Sequence, residues 1–373
     1  MTTTAIRAGL GGLTAAAGFG ILTTFGPATA NADTVLMVGG ADVQAFPGAE
    51  NGVYMPAILG GYLCKNGSGN QCLVVPFSGA AGVLTPNNPQ PMDTSIATAA
   101  DRLAEQIMRT PGPKIAVGYS AGASVVEEAA ERLSKDPNGP AAGELSLITV
   151  GPINDGLAKM VPPGTYLQSL GYTVRPSAQT KYPKTVVTGR YDGLATSNPN
   201  PLSHPLAALN NASGAIYSHL EYFRPDINLA DPSYLASQDG NVRHLMLPDR
   251  NDPPPLTQAL RGMGQPQMAD AVVGQIQDET ASVAKNPGST TNDPYPLPPW
   301  LVDQLIGAAA PKFVSLLNDE KEKMVDMLLP VLVEHPEIFN GIPAITFLGK
   351  REPTPTNTTA TRSSDTARAT PSP

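Results

Sequence analysis

Cysteine is almost missing from this sequence: Cys64 and Cys72 are the whole complement in 373 residues. They stand too far apart for the C-x-x-C spacing of a thiol redox site. Histidine is scarce as well, with four in the chain, and no H-E-x-x-H run or His/Cys cluster supplies ligands for a catalytic metal. Basic charge is in deficit: 24 Lys and Arg face 32 Asp and Glu, and no Lys/Arg cluster is fit to track a phosphate backbone. That argues against nucleic acid as a partner. No internal repeat is visible, and neither a metal nor another cofactor is expected.

What is present begins with an unusual leader. Residues 1–32 carry one positive charge, Arg7, then an uncharged stretch rich in Ala, Gly and Leu, and end in the small-residue patterns Ala28-Thr29-Ala30 and Ala30-Asn31-Ala32. This is the pattern of an export signal. The alternative is a retained anchor, because the stretch approaches the roughly 20 residues of a membrane span, although its glycines and Pro27 make it a poor one. In an oxidising compartment, Cys64 and Cys72 suit a disulfide closing the Gly/Asn-rich loop of "LCKNGSGNQC".

The remaining length is enough to bury a large α/β core without metal or many disulfides. "TVLMVGG" (34–40), "CLVVPF" (72–77), "KIAVGY" (114–119), "LSLITVG" (145–151) and "TVVTGRYD" (185–192) are short apolar runs closed by turn residues, the form of buried parallel strands. Between them lie helical patterns. Ile96, Ala100, Leu103 and Ile107 fall at helical spacing with Asp93 or Thr94 placed to cap the start, and "SVVEEAAERL" and "PLAALNNASGA" also read as helix. Strands alternating with helices predict a mostly parallel sheet with helices on both faces, an α/β-hydrolase-like architecture over 33–262.

Residues 152–184, rich in Pro and Gly, are expected to be an irregular insertion. From 263 to 350 two apolar helical stretches, "PPWLVDQLIGAAAPKFVSLLN" and "EKMVDMLLPVLVEHPEIF", suit core-facing helices, a cap or lid over the sheet, or a lipid-surface contact. The tail, 351–373, lacks apolar residues and is expected to be disordered.

One stretch carries chemistry. "KIAVGYSAGASVVEEAAERL" (114–133) runs strand, tight turn, helix, with Gly118, Ser120 and Gly122 in the G-x-S-x-G form of a nucleophile elbow. The pentapeptide alone recurs by chance; its strand and helix flanks supply the specificity. A serine hydroxyl is nearly inert at neutral pH, so it needs an imidazole to take its proton and a carboxylate to fix that imidazole. Asp192, at the end of an apolar run, fits the acid, and also fits an ordinary Asp-Gly turn. For the base, His219 in "GAIYSHLEYF", after a helical segment that follows Asp192 and beside aromatics fit to wall a site, is preferred; His244 in "NVRHLMLP", on or near a last strand, stays open, with His204 and His335 less well placed. The oxyanion donors expected in such a site are the Ala121 N–H and one from Gly40 or Ala41 after the first strand.

From about 35 to 261, "VLMVGG", "VGYSAGASVV", "TGRYDGLATSNPNPLSHPLAALNNASGAIYSHLEYF" and "LPDRNDPPPLTQALR" together resemble the PE-PPE domain of mycobacterial cell-envelope proteins, an α/β-hydrolase-like relative of cutinases. "SHLEYF" is similar to the His-Leu-x-Tyr loop that carries the cutinase base, which favours His219. By that resemblance the triad falls on Ser120, Asp192 and His219. It implies hydrolysis of acyl esters or transacylation between envelope glycolipids such as acylated trehalose. Water as acceptor makes an esterase or lipase; a sugar hydroxyl makes an acyltransferase. A silent lipid-binding protein on the same scaffold is the third reading. Where family members often carry an N-terminal PE or PPE helical module, an export segment stands here, so the general secretion route and a cell-envelope location are expected.

Overall fold

The side chains of Val35, Leu36, Met37 and Val38 are all fully buried, although successive residues of a strand point to opposite faces. Strand β1 (Thr34–Val38) is therefore covered on both sides, as its unbroken apolar run requires. The structure, a computed structural model, describes residues 33–42, 52–65, 67–196, 199–200, 203–248, 254–285 and 298–319. The leader, the second apolar C-terminal stretch, the tail and His335 lie outside the described residues.

β1 pairs in parallel with β2 (Gln71–Val74) and β3 (Lys114–Tyr119); the sheet continues through β4 (Leu145–Val150), β7 (Lys184–Gly189) and β9 (Val242–Leu247). Its order is β2-β1-β3-β4-β7-β9-β8, and only β8 (Leu235–Asp239) runs antiparallel, at an exposed edge. This is the mostly parallel, α/β-hydrolase-like sheet that the sequence predicts. Registers Val38↔Gly118 and Gly118↔Thr149 bring the carboxyl ends of β1, β3 and β4 level. Loops leaving that edge meet one another, which is where ligands gather in open α/β sheets.

The two faces are covered differently. Leu36, Val38, Ala116 and Leu147 pack under helices α1 (Met92–Arg109) and α2 (Ala121–Lys135), whose Ile96, Leu103, Val125 and Ala129 face the sheet. Val35, Met37, Val117, Ile148 and Val187 instead meet short helical turns at Met55–Gly61, Glu221–Phe223 and Pro232–Tyr234. The disulfide Cys64–Cys72 is formed and ties the first of these segments to β2.

Two sequence expectations need correction. The stretch 152–184 is not irregular throughout: it holds helix α3 (Ile153–Met160) and a small antiparallel pair, β5 (Tyr166–Leu167) with β6 (Tyr172–Thr173). Two helical turns and two-residue strands are too short for a period to emerge. Neither Asp93 nor Thr94 caps α1, whose N-cap is Pro91. The Asp93 carboxylate reaches across to β6, accepting from the Thr173 N–H at 3.0 Å and its hydroxyl at 2.7 Å.

Beyond β7 come α4 (Pro205–Tyr217), α5 (Pro255–Gly262), α6 (Pro266–Lys285) and α7 (Pro299–Asp319). Glu279 on α6 accepts from the Leu206 and Ala207 N–H groups, satisfying donors at the N-terminus of α4. Asp303 on α7 takes the Ser169 N–H at 2.8 Å and hydroxyl at 2.7 Å. Both helices are thus hydrogen-bonded to the sheet domain. Among the described residues no helix is long and apolar enough to cross a membrane.

Candidate active site

Ser120 occupies the single residue between β3 and α2 with φ 54° and ψ −119°. A non-glycine side chain rarely tolerates positive φ, and the conformation costs about 1–3 kcal/mol unless its surroundings enforce it. The surroundings do. The Ser120 N–H donates to the Val150 carbonyl at 2.8 Å, and the flanking glycines let three backbones converge. A Cβ on Gly118 would lie 2.2 Å from the Gly122 carbonyl oxygen, and one on Gly122 would lie 2.2 Å from that of Gly39. The G-x-S-x-G spacing is thus a steric requirement of the turn.

Asp192 follows β7 by three residues and is completely buried. Its Oδ1 accepts the Leu194 N–H at 3.0 Å. Gly193 beside it has no room for a side chain, since a Cβ would come within 2.2 Å of the Asn211 carbonyl on α4. This close approach of α4 matters because His219 lies just past the end of that helix. The imidazole Nδ1 is 2.8 Å from Asp192 Oδ2, and Nε2 is 2.9 Å from Ser120 Oγ. A carboxylate on Nδ1 keeps the ring proton there, leaving Nε2 to accept from the serine hydroxyl.

Aromatic rings hold the imidazole. Tyr119 stacks on it at a centroid distance of 5.1 Å, and its hydroxyl donates to the His219 carbonyl at 2.8 Å. Burial, with the neighbouring Tyr54 and Asp192 adding to it, pushes the Tyr119 phenol well above its ordinary range. Burial, reinforced by the Asp192 charge, does the same to Tyr222. Both remain neutral hydrogen-bond donors at physiological pH.

The structure therefore brings Ser120, Asp192 and His219 together and leaves His204 and His244 out. His244 lies within β9 opposite Val186, short of the carboxyl edge, and half-burial, assisted by Lys184, lowers its pKa. His204 precedes α4 as its N-cap residue. Of the proposed oxyanion donors, Gly40 must be withdrawn: its N–H already donates to the Tyr54 hydroxyl at 2.8 Å. Ala121 and Ala41 both border the space beside Ser120, and among the described residues neither N–H is bonded to an acceptor.

Over Ser120 and His219 opens a cavity of about 340 Å³. Ile153, Leu157 and Met160 of α3 form one wall, and Val302, Ile306 and Ala309 of α7 form another. Leu84, Met92, Leu170 and Leu194 complete a lining that is almost wholly apolar. No local pattern announces this chamber, because its walls come from segments far apart in the chain. Its advance trace is the apolar stretch 298–318, for which a cap or lid over the sheet is one of the readings. Among the described residues no group of three His, Cys, Asp or Glu side chains is placed to hold a metal ion.

A profile of the PE-PPE domain matches residues 68–281, more than half of the chain. The chain belongs to the PE-PPE domain family. Relatives from Mycobacterium tuberculosis include SL1278 acyltransferase Chp1, 29% identical over 220 residues that make up 57% of this chain and 52% of the relative. Esterase PE16 is 30% identical over 279 residues, 68% of this chain and 52% of its own. Diacyltrehalose acyltransferase Chp2 is 28% identical over 219 residues, 52% of this chain and 56% of its own. The chain thus spans about half the length of the curated relatives it matches. Ser120, Asp192 and His219 all fall inside the PE-PPE match, whereas α7 lies beyond it.

Proposed function

We propose that this PE-PPE protein is a serine-dependent acyl-transfer enzyme acting on acyl esters of lipids, with Ser120 as nucleophile, His219 as general base and acid, and Asp192 as the group that orients the imidazole. The observation carrying this reading is the continuous relay from Asp192 Oδ2 through His219 to Ser120 Oγ, at 2.8 and 2.9 Å, opening into an apolar cavity. Ser120 Oγ attacks the ester carbonyl while its proton passes to Nε2. The tetrahedral oxyanion is received by the N–H groups of Ala121, at the positive end of α2, and Ala41. Collapse breaks the bond to the alcohol oxygen, which takes the proton back from Nε2, and leaves an acyl-serine. An incoming hydroxyl then repeats the sequence in reverse.

Water as acceptor yields a fatty acid; a sugar hydroxyl yields a new ester. The apolar lining supports a long acyl chain as the group transferred, and a site shielded from water favours transfer over hydrolysis. Two relatives named as acyltransferases, one of them on diacyltrehalose, support an acylated glycolipid as substrate. The relative named as an esterase supports plain hydrolysis as the second reading. The disulfide supports work in an oxidising compartment, in line with an exported, cell-envelope enzyme. We assign α7 the role of a cap over the acyl site.

Fluorophosphonate labelling tests the nucleophile. Wild type is expected to be labelled and Ser120→Ala not, with turnover of an acyl ester falling about 10⁴-fold or more. Equal absence of labelling in both proteins would sink the enzymatic reading in favour of a lipid-binding scaffold. Incubation with acylated trehalose alone then separates the acceptors: disproportionated glycolipids mark transfer, and free fatty acid without them marks hydrolysis.

A further inference from the structure

We infer that Tyr222 is a positioning residue for the acid of this site, acting through Asp192 and touching neither substrate nor nucleophile. The inference rests on the reading of Ser120, His219 and Asp192 given above and extends it to a fourth side chain. The Tyr222 hydroxyl lies 2.6 Å from Asp192 Oδ2, the same oxygen that receives the His219 Nδ1–H. It also accepts the Gly189 N–H at 2.7 Å. A phenol has one proton. With its oxygen accepting from the backbone, that proton points at the carboxylate.

The arrangement leaves Asp192 little freedom. Oδ1 is tied to the Leu194 N–H, Oδ2 carries two donors, and the side chain is completely buried, so no water can replace a lost partner. Rotating the carboxylate breaks all three bonds. Tyr222 is itself fixed, with its ring edge-on to His219 at 5.9 Å and to Tyr119 at 6.0 Å. Its oxygen is bonded to Gly189, the last residue of β7, three positions before Asp192. Tyr222 thus measures the position of the acid against the strand that delivers it. It selects which oxygen faces the imidazole, and it draws off part of that oxygen's charge.

The experiment compares wild type with Tyr222→Phe by steady-state kinetics on a soluble acyl ester, by the rate of fluorophosphonate labelling of Ser120, and by the low-field proton resonance of His219 Nδ1–H. Tyr222→Phe is expected to lower kcat about tenfold with KM unchanged, since the lost bond is one to a charged group. The resonance is expected to move downfield, because Oδ2 no longer shares its charge with the phenol. In an Asp192→Ala background the same change is expected to leave the labelling rate unaltered, which a merely structural role would not produce.

Trifluorotyrosine incorporated at position 222 keeps the ring and the hydroxyl while making a stronger donor. It covers the case in which Tyr222→Phe misfolds, and is expected to move the resonance upfield. Labelled wild type with kcat of Tyr222→Phe within twofold and an unmoved resonance would overturn this inference alone, as would an equal loss in the Asp192→Ala background or an unmoved resonance with trifluorotyrosine. Wild type that resists labelling would overturn the enzymatic reading and this inference with it.

Discussion

Replacing Lys184 by methionine should destabilise the fold by about 3 kcal/mol, although the residue lies away from Ser120. The Lys184 and Glu127 side chains are only 3% and 6% exposed, and Lys184 Nζ is 2.9 Å from Glu127 Oε1. The ammonium also donates to Ser177 Oγ at 2.5 Å and to the Ala178 carbonyl at 3.2 Å. Breaking a buried pair costs about 3–5 kcal/mol because one charge is left behind in a poorly solvating interior. The lower end applies here, since Glu127 keeps the Asn154 amide at 2.8 Å, the Ser177 hydroxyl at 2.7 Å and the Ala178 N–H at 3.0 Å. For a domain of this size, about 3 kcal/mol lowers Tm by roughly 6–12 °C.

The double variant Glu127→Gln/Lys184→Met removes both charges; the amide oxygen keeps the Asn154 and Ala178 donors, and its NH2 donates to Ser177 Oγ, whose hydroxyl turns to accept. Its loss is expected to shrink to about 1 kcal/mol. Urea unfolding of the four proteins in the cycle measures this, with the midpoint moving and the m value held. A Lys184→Met loss below about 1 kcal/mol, or a double variant no more stable than the single, would refute the reasoning.

Asp155 has its pKa lifted to about 6 by burial, with the nearby Glu127 charge adding and Lys159 and Lys184 opposing. The folded state therefore holds that proton more tightly than the unfolded chain, so Asp155 weakens the fold increasingly as pH rises from about 4 through 6. Asp155→Asn is expected to gain up to about 3 kcal/mol at pH 8 and nothing below about pH 4, read from the difference in Tm across pH. Ala309, exposed on α7 yet bordering the cavity, becomes an obstruction as phenylalanine. Displacing two or three methylenes at about 0.8 kcal/mol each predicts a fall in kcat/KM of roughly 30-fold for dodecanoyl esters, with butanoyl esters little changed.

How far the site was legible depended on how local each constraint was. The turn at Ser120 could be read because Gly118, Ser120 and Gly122 answer to clashes within five residues of chain and its immediate neighbours. Asp192 could be placed at the end of an apolar strand, while Gly193 beside it read as an ordinary turn; that only glycine admits the approach of α4 is visible in the structure alone. Position favoured His219 over His244, since it follows a helical segment after Asp192 and stands beside aromatics, but the deciding fact, that α4 returns His219 to the carboxyl edge, is a long-range one. Family resemblance strengthened that preference.

What stayed hidden is mostly long-range. The Gly40 N–H is taken by Tyr54, Asp93 turns to Thr173, and Lys184 pairs with Glu127, each through partners that no local period can indicate. The cavity is the extreme case. Its walls join α3 to α7 across about 150 residues, and helix α3 itself is too short to announce its apolar face.

These distant contacts bear on the chemistry through the sheet. Ser120 is held in an unfavourable conformation, so something must prevent α2 from shifting to relieve it. Two anchors act on either side: the Ser120 N–H fixes the turn to Val150 on β4, and Glu127, two turns into α2, fixes the helix to Lys184 on β7. β7 then delivers Asp192, while Tyr222 bonds both its last residue and the Asp192 carboxylate. Ser120 and Asp192 are thereby referred to the same strand from opposite ends, at Lys184 and at Gly189. On this logic, loosening the Lys184 pair should slow acylation of Ser120 even under conditions where the protein stays folded, because proton transfer tolerates little error in the distance between Oγ and Nε2.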